Sequence, residues 1–579
     1  MAVAGCTLPQ MIKLAKEQKL EVKPNPLEVH KDTVNFDMSG NLPAKLFKKG
    51  TVYTLNTFYK YGDNELALPP IVFKAEDYPT NKTEQTPVTK PFSFPYKEAY
   101  KVGTVEVQGV ASKGPKSKAV PPPRLVVATG IITTSKLVQK SYYAAFAEHG
   151  YNNQEELVPV VIPDFNFERG KSILRTSEIK ANKGKQLDAF IASKNLTKTV
   201  TVTGTHSPEG LERINSKLSE ERAAVIEKFY RDQMKKYDYQ GVAADIKFIL
   251  KPIVDDWNGF KAALAAYEGI SADEKAEYLA AINSGSSFEE QEKALKKLKT
   301  YNKVFKDVYP GLRAAKTEIL TVKAKKTDAE ISVLAKQITK GEVGADALTF
   351  EELMYSATLT PSLDEKAAIY EAATKKGSNW NANNNLAATY IQMMIENPAK
   401  TADLADKSAA QLEIAAKLKE TPEVLANLAS ITLMKGNPYK SYTYAVKALN
   451  GANNDVKRGV NGVKGSCEIY KAKYSDAVNS TSSSTDTDVN LFNKGLAQLL
   501  TKDNSNAGSS FAEASRKNAN YALAYYGAAI AAARTGSGDA VVSNLTSAVK
   551  IDPSFKEKAL TDLEFTKFNT TDAFRNALK

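Results

Sequence analysis

The hydrophobic period changes along this chain, and that change limits its fold more than any other feature. Between residues 33 and 128 apolar side chains recur at alternate positions. The runs are Thr33-Val34-Asn35-Phe36-Asp37-Met38, Thr51-Val52-Tyr53-Thr54-Leu55, Ile71-Val72-Phe73, Phe92-Ser93-Phe94, Thr104-Val105-Glu106-Val107 and Leu125-Val126-Val127-Ala128. Gly, Pro, Asn and Asp separate them. A period of two puts successive side chains on opposite faces of a strand, so the stretch predicts an antiparallel sandwich or barrel. From about residue 256 the pattern is almost entirely helical, and from about 346 Ala and Gly take packing positions where helices can approach closely.

The middle of the chain mixes both periods. A strand over Val160 to Phe167 leads into a helix with Leu187, Phe190 and Ile191 on one face. The strand Thr199-Val200-Thr201-Val202-Thr203 precedes a second helix with Leu218, Val225, Ile226, Phe229 and Tyr230 at helical spacing, and a third strand lies near Ile246 to Ile249. This β-α-β-α-β order implies at least two neighbouring parallel strands, because helices carry the crossovers. The expected fold class is therefore multidomain α+β: an N-terminal β-sandwich-like region, a central βαβαβ sandwich and a C-terminal α-helical repeat solenoid. The boundaries read as 1–20 for an N-terminal anchor segment with a short helix, 21–150 for the β-rich part, 151–255 for the central domain, 256–345 for a helical extension and 346–579 for the repeats.

Repetition in the last part is degenerate. Asn427-Leu428-Ala429 echoes Asn385-Leu386-Ala387 at 42 residues, and Gly495 and Gly527 are 32 apart. Each glycine precedes a Phe/Leu-x-x-Ala turn (Phe511 and Ala514; Leu545 and Ala548), and Ile551-Asp552-Pro553 closes the last unit. Such spacing describes stacked helical hairpins of unequal length.

Composition narrows the functions. The 579 residues carry 78 Lys+Arg and 66 Asp+Glu, a net charge of +12 that is mild at this length. Basic and aromatic residues alternate between Lys45 and Tyr61, but no nucleic-acid module accompanies them, so no nucleic-acid partner is expected. The basic Lys113-Gly114-Pro115-Lys116-Ser117-Lys118 before Pro121-Pro122-Pro123 reads as a stiff surface loop, either solvated or docking on phosphate. Two cysteines, Cys6 and Cys467, exclude a disulfide framework. His30, His149 and His206 stand far apart without HExxH, so neither metal nor other cofactor is expected. Gly459-Val460-Asn461-Gly462-Val463-Lys464-Gly465-Ser466 has the residues of a phosphate loop in the wrong order and reads as a hairpin turn. The pairs Glu289-Glu290, Glu351-Glu352 and Asp255-Asp256 read as solvated helix faces. No catalytic residue is assigned, and no apolar run of about 18 residues predicts a membrane span.

Two stretches resemble known families. Val3-Ala4-Gly5-Cys6 resembles a bacterial lipobox, which implies acylation of Cys6 with palmitate-type chains and an outer-membrane address; a chance tetrapeptide is the alternative. Thr7-Leu8-Pro9-Gln10 lacks the acidic cluster of surface-export tags, which favours the periplasmic face over the cell surface. Val202-Thr203-Gly204-Thr205-His206-Ser207-Pro208-Glu209-Gly210, with Asn215 and Leu218-Ser219-Glu220-Glu221-Arg222-Ala223, resembles the C-terminal domain of OmpA-like proteins, and Phe165-Asn166-Phe167 with Ser172-Ile173-Leu174 resembles that family's first strand and turn.

The resemblance implies a peptidoglycan-type ligand site at Arg222, Ser207, His206 and Asn215. Arg222 matches the family's arginine, whose planar fork suits a carboxylate. Ser207 stands where the family has Asp, and His206 where it usually has Thr. Half of the charge recognition is then missing, with Glu209 or Glu212 as substitutes. The two alternatives are wall binding and a domain kept for its shape or for protein contact. Asp256-Trp257-Asn258-Gly259-Phe260 and Tyr309-Pro310-Gly311-Leu312-Arg313 resemble the segment that follows OmpA-like domains in Bacteroidota envelope proteins, and the C-terminal helices resemble tetratricopeptide repeats. Together these imply a non-enzymatic, outer-membrane-tethered lipoprotein scaffold. Its partners would be envelope proteins, including a β-barrel complex, and peptidoglycan. The alternative is an accessory subunit of an outer-membrane assembly or secretion complex.

Overall fold

Alternating burial along the first strands closes them into two sheets around one core. The computed structural model describes residues 7–237, 239, 245–253 and 257–579. Cys6, Asp255 and Asp256 lie outside the described residues. The chain forms two units: residues up to 151 together with 328–579, and residues 152–327.

In the first unit, helix α1 (Thr7–Ala15) precedes β1 (Lys19–Lys23), β2 (Leu27–His30), β3 (Thr33–Leu42), β4 (Val52–Tyr61), β5 (Asn64–Lys74), β6 (Thr86–Pro95), β7 (Thr104–Lys113), β8 (Lys116–Ala119), β9 (Leu125–Thr129) and β10 (Ile131–Ile132). One sheet runs β1-β3-β2-β10 with β6 also on β3; the other runs β5-β4-β7-β8 with β9 also on β7. Within these two sheets, among the described residues, only β2 and β10 pair in parallel. Val34, Phe36 and Met38 from one sheet and Tyr53, Leu55 and Val105 from the other share a buried core, and Phe36 stacks on its register partner Phe92 at 5.0 Å. This is a sandwich rather than a barrel. The basic run 113–118, expected as a loop, is the tip of the β7–β8 hairpin, where Gly114 takes φ +54°.

The second unit holds β11 (Leu157–Asn166), α2 (Thr176–Lys180), α3 (Asn182–Ala192), β12 (Thr197–Gly204), α4 (Glu212–Lys236), β13 (Lys247–Pro252), helices α5 (Trp257–Ala266), α6 (Ala272–Ile282), α7 (Phe288–Leu295), α8 (Tyr301–Asp307) and α9 (Tyr309–Leu312), and β14 (Ala314–Val322). The sheet order is β11-β14-β12-β13. β12 and β13 are parallel neighbours joined through α4, and β14 is antiparallel to both β11 and β12. Leu187 and Ile191 of α3 and Ala223, Ile226 and Tyr230 of α4 cover the sheet through Val200, Val202, Phe165 and Ile319.

Strand β14 corrects two expected boundaries. The domain does not end at 255, and 256–345 is not a helical extension. Ala315, Thr317 and Ile319 point inward while Lys316 and Glu318 point out, so an interior strand of the sheet lies beyond a helical insertion, α5–α9, which has its own core of Phe260, Tyr278, Leu295 and Tyr309. The carboxylate pairs are not merely solvated. Glu290 closes a capping box with Ser287, and Glu352 closes one with Thr349.

The remainder of the first unit is helical: α10 (Asp328–Lys340), α11 (Phe350–Ser356), α12 (Leu363–Thr374), α13 (Trp380–Glu396), α14 (Thr401–Leu418), α15 (Pro422–Met434), α16 (Pro438–Ala448), α17 (Asn454–Tyr470), α18 (Tyr474–Ser482), α19 (Asp488–Leu500), α20 (Asn504–Lys517), α21 (Ala522–Thr535), α22 (Gly538–Ile551), α23 (Ser554–Thr561) and α24 (Asp572–Ala577). Helix α10 packs its Ile331, Ala335 and Ile338 into this array, which therefore begins before residue 346. The pairs α13/α14, α15/α16, α17/α18, α19/α20 and α21/α22 are hairpins, and the first helix of each touches the first helix of the next, forming an inner row. The glycine-rich run 459–466 is not a turn but the interior of α17, and Phe511–Ala514 and Leu545–Ala548 lie inside α20 and α22. Glycine is used there for close approach. A Cβ at Gly495 or Gly527 would lie 2.9 or 2.7 Å from the Phe511 ring, so that ring fills a notch between two inner helices. The sandwich joins the array through Thr134, which donates to Glu564 (2.5 Å), and through His30 and Tyr474 (2.7 Å).

Phe511→Ala should destabilise the repeats by about 3–5 kcal/mol, the range for emptying a buried aromatic site. A loss under about 1 kcal/mol in urea unfolding followed by helix content would show that the notch is not a core.

Candidate functional site

Residues 138–148 run extended, without a neighbouring strand, along the inner row of the helical repeats, and Gly150 turns the chain at φ +75°. An extended chain points the N–H and C=O of alternate residues to the same edge. Here the odd-numbered residues turn that edge toward the helices. Asn493 of α19 accepts from the Gln139 N–H (3.0 Å) and donates to its carbonyl (2.7 Å). Ser466 of α17 accepts from the Ser141 N–H (3.0 Å) and donates to the Gln139 carbonyl (3.0 Å). Ser430 of α15 does both for Tyr143 (2.9 and 2.7 Å), and Asn427, one turn earlier, does both for Ala145 (2.8 and 2.7 Å). Asn385 of α13 does both for Ala147 (2.7 and 2.9 Å). The neighbouring Asn384 adds a second donor to the Ala145 carbonyl at 2.9 Å. The strap thus runs from α19 to α13, against the order of the repeats.

Its side chains sort by the same alternation. Ser141, Ala145 and Ala147 are buried, Lys140 and Glu148 are exposed, and Phe146 is 41% exposed. Tyr143 rests on Gly459, where a Cβ would overlap its ring. Burial, then the Asp455 and Glu423 carboxylates, raises the Tyr143 pKa; burial pushes Tyr142 up to about 12. Both phenols stay neutral at physiological pH. Beside the strap lies a cavity of about 360 Å³ whose lining includes Lys140, Tyr142, Met394, Ile395, Met434 and Asp488. The Asn-Leu-Ala echo at 42 residues marks more than repeat periodicity. Asn385 and Asn427 are the residues that bind the strap.

The four residues expected to form a ligand site come together in the second unit, at the end of β12 and the start of α4. Arg222, Ser207, His206 and Asn215 are between 1% and 4% exposed. Arg222 donates to the carbonyls of Thr205 (2.8 Å), Lys171 (3.1 Å) and Glu168 (3.4 Å). Burial and the neighbouring Arg313 cation bring its pKa down to about 10, so it is still charged at neutral pH. Ser207 Oγ accepts from Arg313 Nε (2.9 Å), and Arg313 also holds Glu209 Oε1 at 2.8 Å through Nη2. Glu209, one expected substitute for the missing Asp, is therefore engaged internally. The backbone N–H of Glu212 donates to Glu289 at 3.2 Å. Asn215 donates to the Glu209 carbonyl (3.2 Å), and the His206 ring meets Phe288 edge to face. Helix α7 of the insertion thus packs over this loop. Arg313, at the end of the helical insertion, is a member of the cluster that the spacing from Ser207 to Arg222 does not reach. Cys467 is buried, its thiol donates to Ser441 (3.3 Å), and burial pushes its pKa up to about 11. That is the profile of an inert packing residue. Among the described residues no helix is long and apolar enough to cross a membrane.

No family model and no curated protein matches this chain. Solved structures with similarity include the C-terminal part of a TPR repeat-containing protein from Cytophaga hutchinsonii (14% identity, 40% of this chain and 92% of that one, TM-score 0.29). Others are YrrB, described as a TPR protein with an unusual peptide-binding site (18%, 40% and 100%, 0.21), and MamA (17%, 26% and 90%, 0.23). At such scores it is the hairpin packing itself that identifies the repeats.

Asn427→Leu removes two of the three bonds on Ala145, at about 1–3 kcal/mol. Amide exchange at Ala145 should accelerate by about 5- to 150-fold while the α15 amides change little. Equal acceleration throughout α15 would mean that the helix, not the strap, had loosened. Arg222→Met removes its bonds to three loop carbonyls, of which, among the described residues, only that of Glu168 keeps another donor, the Lys171 N–H, and should lower the melting temperature of the second unit; an unchanged melt would show that those bonds are dispensable.

Proposed function

We propose that the protein is a non-enzymatic scaffold tethered to a bacterial outer membrane by acyl chains on Cys6, with its helical repeats engaging other envelope proteins. The observation that carries the protein-binding part is the inner row itself, whose Asn and Ser side chains address the main chain of an extended segment. Lipid attachment and the periplasmic face rest on Val3-Ala4-Gly5-Cys6 and its following residues. The parallel β12–α4–β13 crossover supports reading the second unit as an OmpA-like domain.

The burial of Arg222 and its three carbonyl partners favours a domain kept for shape or protein contact over one that grips peptidoglycan. It also favours the second reading, an accessory subunit of an outer-membrane assembly or secretion complex with a β-barrel member. An arginine that is 1% exposed and donates to three loop carbonyls has no exposed fork to offer a carboxylate.

Two measurements test this. In native cells, Cys6→Ser should move the protein from the membrane to the soluble fraction, and unchanged partition would rule out the lipid anchor. Purified full-length protein should pass through peptidoglycan sacculi unretained while a β-barrel protein co-purifies from solubilised membranes. Retention on sacculi would instead make the second unit a wall-binding domain.

A further inference from the structure

We propose that residues 138–148 are an intramolecular occupant of a main-chain receptor, and that the inner row also takes a partner's extended segment when its own strap lets go. This rests on the protein-binding reading above and adds the ligand's pattern and its competitor. The N–H groups of five successive odd-numbered residues are held by side chains of four helices, and four of those residues also have their carbonyl bound. Those contacts read backbone and direction, not side-chain chemistry. What they exclude is bulk at Ala145 and Ala147, which are buried against helices, and Tyr143 fits because Gly459 has no side chain; Ser141 borders the cavity and is held by its hydroxyl, which donates to Asn490 at 2.5 Å. The recognised segment is therefore extended, runs from α19 toward α13, and follows the pattern small-x-aromatic-x-small-x-small. Nothing in such a code distinguishes the strap from another chain with the same spacing. The strap wins in the free protein because it is tethered, at an effective concentration of about a millimolar.

The probe is a fluorescein-labelled peptide with the sequence of residues 137–150. Full-length Ala145→Arg/Ala147→Arg, which cannot seat its own strap, should bind it, and adding Asn427→Leu should weaken binding at least tenfold. The wild-type protein should bind about 100-fold more weakly, as expected for a ten-micromolar peptide competing with a tethered rival at about a millimolar. A double-arginine variant that keeps its helix content and melting transition yet ignores the peptide overturns the proposal. So does wild-type protein that binds as well as the variant. Should the variant not fold, hydrogen exchange on the wild type decides: strap amides 141, 143, 145 and 147 exchanging faster than α13, α15, α17 and α19 support release, and exchange only with unfolding of those helices refutes it. Failure here leaves the scaffold reading standing if partners still co-purify, whereas loss of all partners with intact peptide binding would fault that reading alone.

Discussion

A strand without a neighbouring strand must still satisfy its peptide groups, and most of the first unit is organised around how this one does so. Buried N–H and C=O groups left unpaired cost about 1–3 kcal/mol each. Asn is well suited to supply both partners, because one planar amide presents a donor and an acceptor side by side. Asn385, Asn427 and Asn493 each meet the N–H and C=O of one residue in this way, and a Ser hydroxyl, which also donates and accepts, does the same at Tyr143. Positions three residues apart lie on one helix face, so Asn427 and Ser430 reach consecutive odd residues of the strap from a single helix. The strap leads out of the sandwich, and its binding along α19 to α13 draws residues up to 151 into one unit with 328–579 although the second unit interrupts them in sequence.

Glycine serves the same arrangement. In a helix interior it costs about 1 kcal/mol relative to Ala, and α17 carries three within seven residues. Each makes room for a neighbour: Tyr143 at Gly459, Asn490 at Gly462 and Thr481 at Gly465. Asn490 in turn accepts from the Ser141 hydroxyl at 2.5 Å. Local helix propensity is given up where close approach to the strap and to the next hairpin recovers it.

The second unit solves a different problem, a buried pair of arginines, with Glu209 and Glu221 the carboxylates that favour the charge of Arg222. Arg313 is close enough to disfavour the charge of Arg222, and Glu209 is within ion-pair distance of Arg313. The remaining charge of Arg222 is met by main-chain carbonyls, which ties the loop after β11 and the end of β12 to the start of α4. The insertion α5–α9 then seals the loop with Phe288 and Glu289. An arginine placed by family resemblance as a ligand group is thereby the pin of its own domain.

Strand positions in the sandwich were legible because alternation survives in Phe36, Tyr53 and Val105, each with a strong preference for the interior. Helical repeats were legible from Ala and Gly spacing. Strand β14 was not, since Ala315 and Thr317 are weakly apolar and helices precede and follow it; only pairing with β11 and β12 makes Ala314–Val322 a strand. The residues expected to form a wall site lie close together from the end of β12 into α4, but their spacing carries no information about α7, whose Phe288 meets the His206 ring and whose Glu289 accepts from the Glu212 N–H. The echo of Asn385 and Asn427 was visible, its role was not, because the partner is a segment roughly 240 to 280 residues earlier. Sequence by itself determined which stretches are strand and helix wherever side-chain period is strong. Tertiary structure alone decided what the polar residues do, because a hydrogen-bonding side chain has no periodic preference and takes its meaning from whichever distant peptide group it meets.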